Sequence, residues 1–427
     1  MRPLVLFLAV AAAVPTYAQS RNNYGSIYSR YGVGERLDFA TSQGAALGGS
    51  GVATRSAAYT SLTNPALWSD QRLTTFGAAA SVAGTWASDA LSDETAEATA
   101  GDLDALHFGV PILPGRLGLV ASYRPYSRVN YRAAVPGELV AEGDTARYQI
   151  NQEGTGGLQR ISTGLGLRLG EAVQLGASAD VVFGTFEYLQ RTTFDAAEYA
   201  ETRQADATQV RGLSGTFGGA VSARRLAGDN DVLTLGASLS LPASLGGSRT
   251  RTLGESLDRD TVAAEVDADV SLPLVARAGL SYRSGSRVLA TVEGQYEPWS
   301  SFDSTVPVGG FQPGGASELQ DRVRVGGGVE FTPAGVNSRA GLFRRAAYRI
   351  GGFSERGLYA PAGEDVGTLG LTAGVSFPTR LSGARLDLGL EAGTRGSETG
   401  VLVRDRYLKG TLTLNFGERW FQRRRLD

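Results

Sequence analysis

Residues 408–416 read Leu-Lys-Gly-Thr-Leu-Thr-Leu-Asn-Phe. Successive side chains of an extended strand point to opposite faces, so this stretch has two different faces. The apolar side chains fall on one face: Leu408, Leu412, Leu414 and Phe416. The polar ones fall on the other: Lys409, Thr411, Thr413 and Asn415. The stretch therefore predicts a strand with one apolar and one wet face.

The same alternation recurs along the chain, for example in residues 385–395, 369–377 and 164–169. Many runs reach ten residues or more. A soluble sandwich needs only about 5–6 residues per strand, whereas a tilted strand needs about 9–11 to cross a bilayer. We therefore predict an all-β fold, a transmembrane antiparallel β-barrel.

Turn signals give the strand count. Short links such as Pro114-Gly115 and Gly285-Ser286 alternate with longer polar links, as short periplasmic turns alternate with outer loops in bacterial barrels. About fourteen strands result, and the link at 333–345 is long for a periplasmic turn. The predicted strands are 73–87, 104–112, 116–132, 145–169, 173–191, 208–225, 232–245, 261–284, 287–299, 318–332, 346–354, 367–378, 384–396 and 401–416.

Composition restricts the chemistry. The 427 residues carry a net charge of −2, one His and no Cys. The charge argues against nucleic acid as a partner, and the absence of Cys excludes disulfides and thiolate metal sites. His107 is predicted to face the lumen, and no nucleophile motif accompanies it. We expect no cofactor, no metal and no enzymatic activity.

The N-terminus reads as a signal peptide over residues 1–18. Arg2 supplies a positive start, Leu4 to Val14 form an apolar core, and Thr16-Tyr17-Ala18 resembles a cleavage site. The alternative is a buried N-terminal element. No later apolar run approaches the ~20 residues of a spanning helix. These features predict a bacterial outer-membrane location with both termini periplasmic.

Residues 19–72 show no sustained alternation and are rich in small residues. A barrel of about fourteen strands encloses a lumen too wide for wall side chains to fill. We therefore predict an N-terminal hatch over 19–72 inside the lumen, a barrel over 73–417 and a periplasmic tail over 418–427. A periplasmic linker without gating role is the alternative.

Two stretches carry a family resemblance: residues 45–53, Ala-Ala-Leu-Gly-Gly-Ser-Gly-Val-Ala, and residues 57–66, which end in Asn64-Pro65-Ala66. They resemble the N-terminal hatch of the FadL/TodX-type outer-membrane hydrophobic-compound transporters, with its Asn-Pro-Ala motif. Residues 414–421 and 154–158 look like the Bacteroidetes-type branch of such proteins. The resemblance implies a fourteen-stranded barrel, a lumenal hydrophobic ligand, and lateral escape into the bilayer through a kinked strand.

The same stretches contain the residues that we predict to be functional. Asn64, Pro65 and Ala66 form the predicted hatch motif, although Asn-Pro also suits a plain turn. The glycines Gly154, Gly156 and Gly157 interrupt a predicted strand and mark either a kink or a simple bend. No ligand-binding residue is assigned. A lumenal wall network is predicted, with steering of an anionic head group as its alternative use: Asp180, Asp387, Glu391, Arg168, Arg277, Arg283, Arg322, Arg324 and Arg395.

The leading functional hypothesis is passive, hatch-gated transport of hydrophobic compounds such as long-chain fatty acids. Its partners would be outer-membrane lipid and hydrophobic small molecules. The alternative is a non-transporting barrel that serves as a protein-secretion partner, like the shuttle protein of type IX secretion, with secreted cargo as its partner.

Overall fold

The structure is a computed structural model. It describes residues 24–90, 95–141, 144–196, 199–226, 228–254, 261–315, 317–335, 337, 339–379, 383–400 and 402–420. The predicted signal peptide and the last seven residues of the predicted tail lie outside this part of the chain. Within it, no helix has the length and apolar character needed to cross a membrane.

Fourteen antiparallel strands form the wall, and each matches a predicted strand. They are β1 Thr74–Asp89, β2 Ala96–Leu113, β3 Leu117–Pro125 with Ser127–Ala141, β4 Asp144–Leu169, β5 Val173–Phe194, β6 Thr202–Arg224, β7 Val232–Ser240 with Ala243–Gly254, β8 Thr261–Leu272 with Val275–Ser284, β9 Val288–Glu297, β10 Leu319–Phe331, β11 Ala347–Tyr359, β12 Thr368–Pro378, β13 Arg385–Arg395 and β14 Val403–Glu418.

The wall closes on itself because β14 pairs with β1, from Val403 opposite Asp89 to Glu418 opposite Thr74. Closure gives each strand a paired neighbour on both sides, although two seams described below interrupt the pairing. The alternation of β14 behaves as predicted: Leu412 is 47% exposed on the outer face, and its neighbour Thr413 is 3% exposed on the inner face. The fourteen-stranded barrel is therefore confirmed.

Strands β2, β3, β5, β6 and β7 are longer than predicted from the sequence, whereas β8 covers the predicted range. Residues 133–141 and 246–254 read as polar loops but belong to β3 and β7, where neighbouring strands pair with them. Each of these strands lies beside another long strand, so the backbone hydrogen bonds between them continue past the point where the apolar alternation stops. The result is a six-stranded extension of the wall at the long-loop end, which we call the outer sheet.

Pairing is interrupted at two seams on this side. The first half of β2, residues 96–105, has no described partner on β3, because β3 pairs with β2 only from Tyr123 opposite Leu106 to Leu117 opposite Leu113. The second seam lies on the edge of β8 that faces away from β7. On that edge only Val270 and Ser271 are paired, with Ser304 and Asp303. Among the described residues, the edge of β8 beyond Asp269 has no backbone partner.

Short connections lie at the opposite, short-turn end, where β1 begins and β14 ends. The long link noted at 333–345 is confirmed, and it contains a helical turn over Leu342–Arg345. Three further helical turns precede β1, over Ile27–Arg30, Ser42–Ala45 and Pro65–Asp70.

Candidate functional site

Residues 24–72, which we call the inner segment, are enclosed by the wall. The Ser42 hydroxyl donates to Asp387 on β13 at 2.7 Å, and the Gly51 amide donates to Glu293 on β9 at 2.6 Å. On the far side of the ring, the Asn64 amide donates to the Gly219 carbonyl on β6 at 3.1 Å. Strands β6 and β13 are seven positions apart in a ring of fourteen, so the segment spans the lumen.

Asn64 is fully buried and holds three groups together. Its side-chain oxygen accepts from the Ala66 amide at 3.0 Å and begins the helical turn Pro65–Asp70, where the ring of Pro65 suits the first position. Its amide group donates to the carbonyl of Val52 at 2.6 Å and to that of Gly219. The predicted motif is thus a capped turn that also fastens the inner segment to the wall.

Glycines on the wall make room for this turn. A Cβ at Gly218 would lie 2.0 Å from the Asn64 side-chain oxygen, and a Cβ at Gly176 would lie 2.3 Å from the Pro65 carbonyl carbon. Both distances are far inside van der Waals contact. The backbone of the motif therefore approaches the wall only because β5 and β6 carry no side chain at these points.

A buried ion cluster joins the inner segment to four strands, and we call it the charge cluster. Its members are Arg36 and Asp38 from the inner segment, Arg277 from β8, Glu297 from β9, Arg322 from β10 and Glu355 from β11. Glu297 pairs with Arg36 at 3.0 Å and with Arg322 at 2.6 Å. Asp38 pairs with Arg277 at 3.2 Å and with Arg322. Each ion has at least one counter-ion, which is the condition for burying charge.

Two carboxylates of the inner segment, Glu35 and Asp38, stay ionised. Burial by itself raises the pKa of Glu35, but Arg395 and Arg128 outweigh it and hold the pKa at about 2. Burial likewise opposes ionisation of Asp38, and Arg322, Arg36 and Arg277 together keep its pKa well below the ordinary range. The attachment is therefore ionic over the whole physiological pH range.

The interrupted seam between β2 and β3 lies beside this attachment. At Tyr126 the strand β3 breaks, and the next two residues pair with the short strand Glu35–Arg36 of the inner segment. Arg128 then pairs with Glu35 at 3.2 Å and with Asp102 on β2. A single arginine therefore bridges the inner segment and both sides of the seam.

The three predicted kink glycines lie on β4 opposite this break. Gly156 and Gly157 have φ of +103° and +130°, conformations that favour glycine, and Val129 pairs with Gly156 after a shift in register. A Cβ at Gly157 would lie 2.4 Å from the Ser127 carbonyl oxygen. Gly154 instead lies under the ring of Tyr131. A Cβ at Gly154 would lie 2.2 Å from a carbon of that ring. Whether the glycines form a gate stays a prediction.

A cavity of about 120 Å³ lies between the inner segment and the wall at this seam. It is lined by Ala83 and Ala100 next to the seam and by ten charged side chains, five of each sign: Glu35, Asp38, Glu355, Glu391, Asp405, Arg36, Arg128, Arg324, Arg395 and Lys409. Cavities for drug-sized ligands are about 300–1,000 Å³ and mostly apolar. This space therefore suits a polar group rather than a whole apolar cargo molecule.

The predicted lumenal charges mostly contact the inner segment rather than one another. Arg168 pairs with Asp70, Arg395 with Glu35, and Asp387 accepts from Tyr59 at 3.1 Å. Asp180 does pair within the wall, with Arg160. The sequence analysis missed the inner-segment partners Glu35, Arg36 and Asp38. A signal was present, because Glu35-Arg36-Leu37-Asp38 precedes sixteen uncharged residues, 39–54, in a segment predicted to be enclosed.

The BamG family model matches residues 1–427, the whole chain. The chain belongs to the BamG family. No curated protein matches its sequence. Among solved structures, this BamG-family chain is similar to the Ralstonia pickettii toluene transporter TbuX, with 14% identity over 90% of this chain and 99% of that one and a TM-score of 0.56.

Two further structures are similar to this member of the BamG family. The CymD monoaromatic hydrocarbon channel shares 13% identity over 91% of this chain and 100% of its own, with a TM-score of 0.57. A Pseudomonas aeruginosa FadL homologue shares 13% identity over 89% and 98%, with a TM-score of 0.56. The predicted FadL/TodX-type resemblance is confirmed at the level of the fold, and the chain is an outer-membrane β-barrel. The three similar structures are transport proteins or their homologues, not enzymes.

Proposed function

We propose that the protein transports hydrophobic compounds passively across the outer membrane, long-chain fatty acids among them. The observation that carries this proposal is the unpaired seam between β2 and β3 beside an inner cavity. Unpaired backbone inside a membrane is expensive unless protein, water or a passing molecule covers it, so a seam of this kind suits a lateral route. The similar structures named as toluene and monoaromatic hydrocarbon transporters support the same class of cargo.

The orientation follows the barrel rule that short turns face the periplasm. Strand β1 begins and β14 ends at the short-turn end, so both termini are periplasmic in our proposal. Residues 19–72 act as the hatch. Cargo enters at the long-loop end and leaves sideways between β2 and β3 when the inner segment shifts.

The charges at the seam favour cargo with an anionic head. Arg128 and Arg395 line the cavity, and each pairs with Glu35. A carboxylate head group would compete with Glu35 for these two arginines and so loosen the inner segment. The alkyl chain would follow the small side chains of Ala83 and Ala100 toward the bilayer.

The decisive experiment is uptake by a deletion strain with and without the restored gene. The panel contains labelled fatty acids, aromatic hydrocarbons and small hydrophilic sugars. Restored uptake of hydrophobic compounds alone supports the proposal and identifies the cargo. Equal uptake by both strains, with the barrel present in the outer membrane, would exclude it.

A second experiment addresses the lateral route. Cysteines replace Asp102 and Arg128, and a short bis-maleimide reagent bridges β2 to β3. The unbridged double variant lacks Arg128 and is therefore the reference for uptake, and we expect the bridge to lower its remaining uptake further. Wild-type protein has no Cys and is the reagent control. Undiminished uptake through the bridged barrel would contradict exit at this seam.

The alternative function, a protein-secretion partner, is favoured by one observation. The free edge of β8 carries the exposed acidic residues Glu265 and Asp267. Such an edge accepts an extended chain by strand addition, and the charges select a basic one. A photo-cross-linker at position 267 should capture a basic extended segment of an exported protein. Capture that is equal from position 171, on a short turn, would remove this candidate.

A further inference from the structure

A second, larger cleft opens at the long-loop end, away from the charge cluster. Its volume is about 440 Å³, and it lies between the inner face of the outer sheet, the loop over residues 298–318 and the inner segment at Arg30 and Tyr31. Transport through the seam does not use it. Side-chain amides and tyrosines predominate in the lining of this cleft, whereas charged side chains predominate in that of the smaller cavity.

Three glutamines form a row across one side of the cleft. Gln152 on β4 lies directly opposite Gln190 on β5, and Gln190 lies directly opposite Gln204 on β6. All three line the cleft. Side chains paired across antiparallel strands lie about 5 Å apart and point the same way. The side-chain amides of Gln152 and Gln190 make no hydrogen bond with any other described residue, so they are free to bind a ligand in the cleft.

The next row toward the lumen is aromatic. Tyr131 on β3 and Tyr188 on β5 lie on either side of Gly154 on β4. The absence of a side chain at Gly154 lets the Tyr131 ring lie against the wall. Tyr131 is only 6% exposed and lines the cleft, yet its hydroxyl has no hydrogen-bond partner among the described residues. The Tyr131 hydroxyl is therefore free to exchange a hydrogen bond with a ligand or water in the cleft.

The charged side chains that line the cleft are engaged in contacts with the protein. Asp206 pairs with Arg249 and with Arg251, each at 2.8 Å, and accepts from Gln204 at 2.9 Å. Glu318 accepts from the Ala362 amide at 3.3 Å. Arg30, which carries the opposite charge, donates to the Tyr31 hydroxyl and lies over the Tyr31 ring. The groups left for a ligand are therefore mainly neutral amides, a phenol and aromatic surface. An inorganic anion or a wholly apolar molecule would leave most of them unsatisfied.

We propose that this cleft binds a neutral carbohydrate. Sugar hydroxyls donate and accept at once, as side-chain amides do, so a row of amides spaced about 5 Å apart matches hydroxyls along the edge of a glycan. Sugar rings also present an apolar face of C–H groups, which packs on tyrosine rings that keep a polar tip. The source is either a free extracellular glycan or the sugar of the neighbouring outer-membrane lipid.

The test is calorimetric titration of the full-length, detergent-solubilised protein. The ligands are a panel of neutral oligosaccharides and a delipidated core oligosaccharide of the outer-membrane lipid. We expect binding by at least one ligand, weakened about fivefold by each of Gln152→Ala and Gln190→Ala, the factor for one neutral hydrogen bond of about 1 kcal/mol. Tyr131→Phe, which removes only the hydroxyl, should weaken it similarly.

Gln149→Ala is the matched control. Gln149 is on the same strand but points to the outer face and is exposed, so its loss should leave binding unchanged. Binding of free oligosaccharides alone indicates an extracellular glycan, and binding of the lipid core alone indicates the membrane's own sugar. No binding by any ligand, or binding that the three cleft variants leave unaltered, overturns the proposal. Hydrophobic uptake is independent of either outcome.

Discussion

Replacing Asp38 with Asn should release the inner segment from the wall. Asp38 is the inner-segment carboxylate that meets Arg277 at 3.2 Å and also pairs with Arg322. Its loss leaves Arg277 with Glu293 at 3.9 Å as its nearest described counter-ion. Removal of one partner from a buried ion pair costs about 3–5 kcal/mol. Asn keeps some hydrogen bonding, so we expect about 3 kcal/mol, which favours the displaced segment by about a hundredfold.

The assay is single-channel recording in planar bilayers. Wild-type barrels should remain closed, and D38N barrels should show frequent openings. Asp229→Asn, in an exposed turn at the short-turn end, serves as the matched control and should remain closed. Heat-modifiable mobility on a gel confirms that each variant has assembled.

A double variant sharpens the reasoning. D38N with Arg277→Gln removes the unpaired cation together with its partner, so its openings should be rarer than those of D38N alone. If assembled D38N barrels stay as closed as the wild type, the charge cluster does not hold the segment and the reasoning is refuted.

Three further predictions use the same segment. Asn64→Ala removes two donated hydrogen bonds, to Val52 and Gly219, and should lower uptake without loss of assembly; unchanged uptake would leave Asn64 a purely local cap. Gly218→Val places a Cβ where the Asn64 oxygen lies and should raise leak conductance, which a closed channel would contradict. Acid should loosen the segment only at extreme pH. The pKa of Glu35 is lowered from 4.5 to about 2, so its stabilisation is complete above about 4.5 and is lost as pH falls through about 2. Conductance measured against pH should show this loss, and Glu35→Gln should abolish that component.

The wall was predictable because lipid enforces period-two alternation, and every predicted strand is present. Prediction failed at the outer sheet, where strands such as β3 and β7 continue in water. Pro136-Gly137 in β3 and Gly246-Gly247 in β7 are turn signals, so these stretches resemble loops in the sequence. Only the pairing of neighbours distinguishes the two.

The site was predictable only in part. The Asn64-Pro65-Ala66 turn was found by resemblance, and the glycines of β4 by their interruption of the strand. The partners of Asp38 were not accessible, because Arg277 and Arg322 are 239 and 284 residues away along the chain. Sequence patterns report local periodicity, whereas these ion pairs depend on how a strand closes around a segment.

The same separation has a consequence for biogenesis. The inner segment is synthesised first, whereas its partners on β8 to β13 are synthesised last. Asp387, for example, follows its partner Ser42 by 345 residues. Contacts between residues so far apart in sequence form slowly, because the entropy of closing a long loop is lost before the contact stabilises the fold. The segment must remain unpaired in the periplasm while most of the wall is made. We expect its small residues and its seven charged side chains to keep it soluble during that interval, until the pairing of β14 with β1 encloses it.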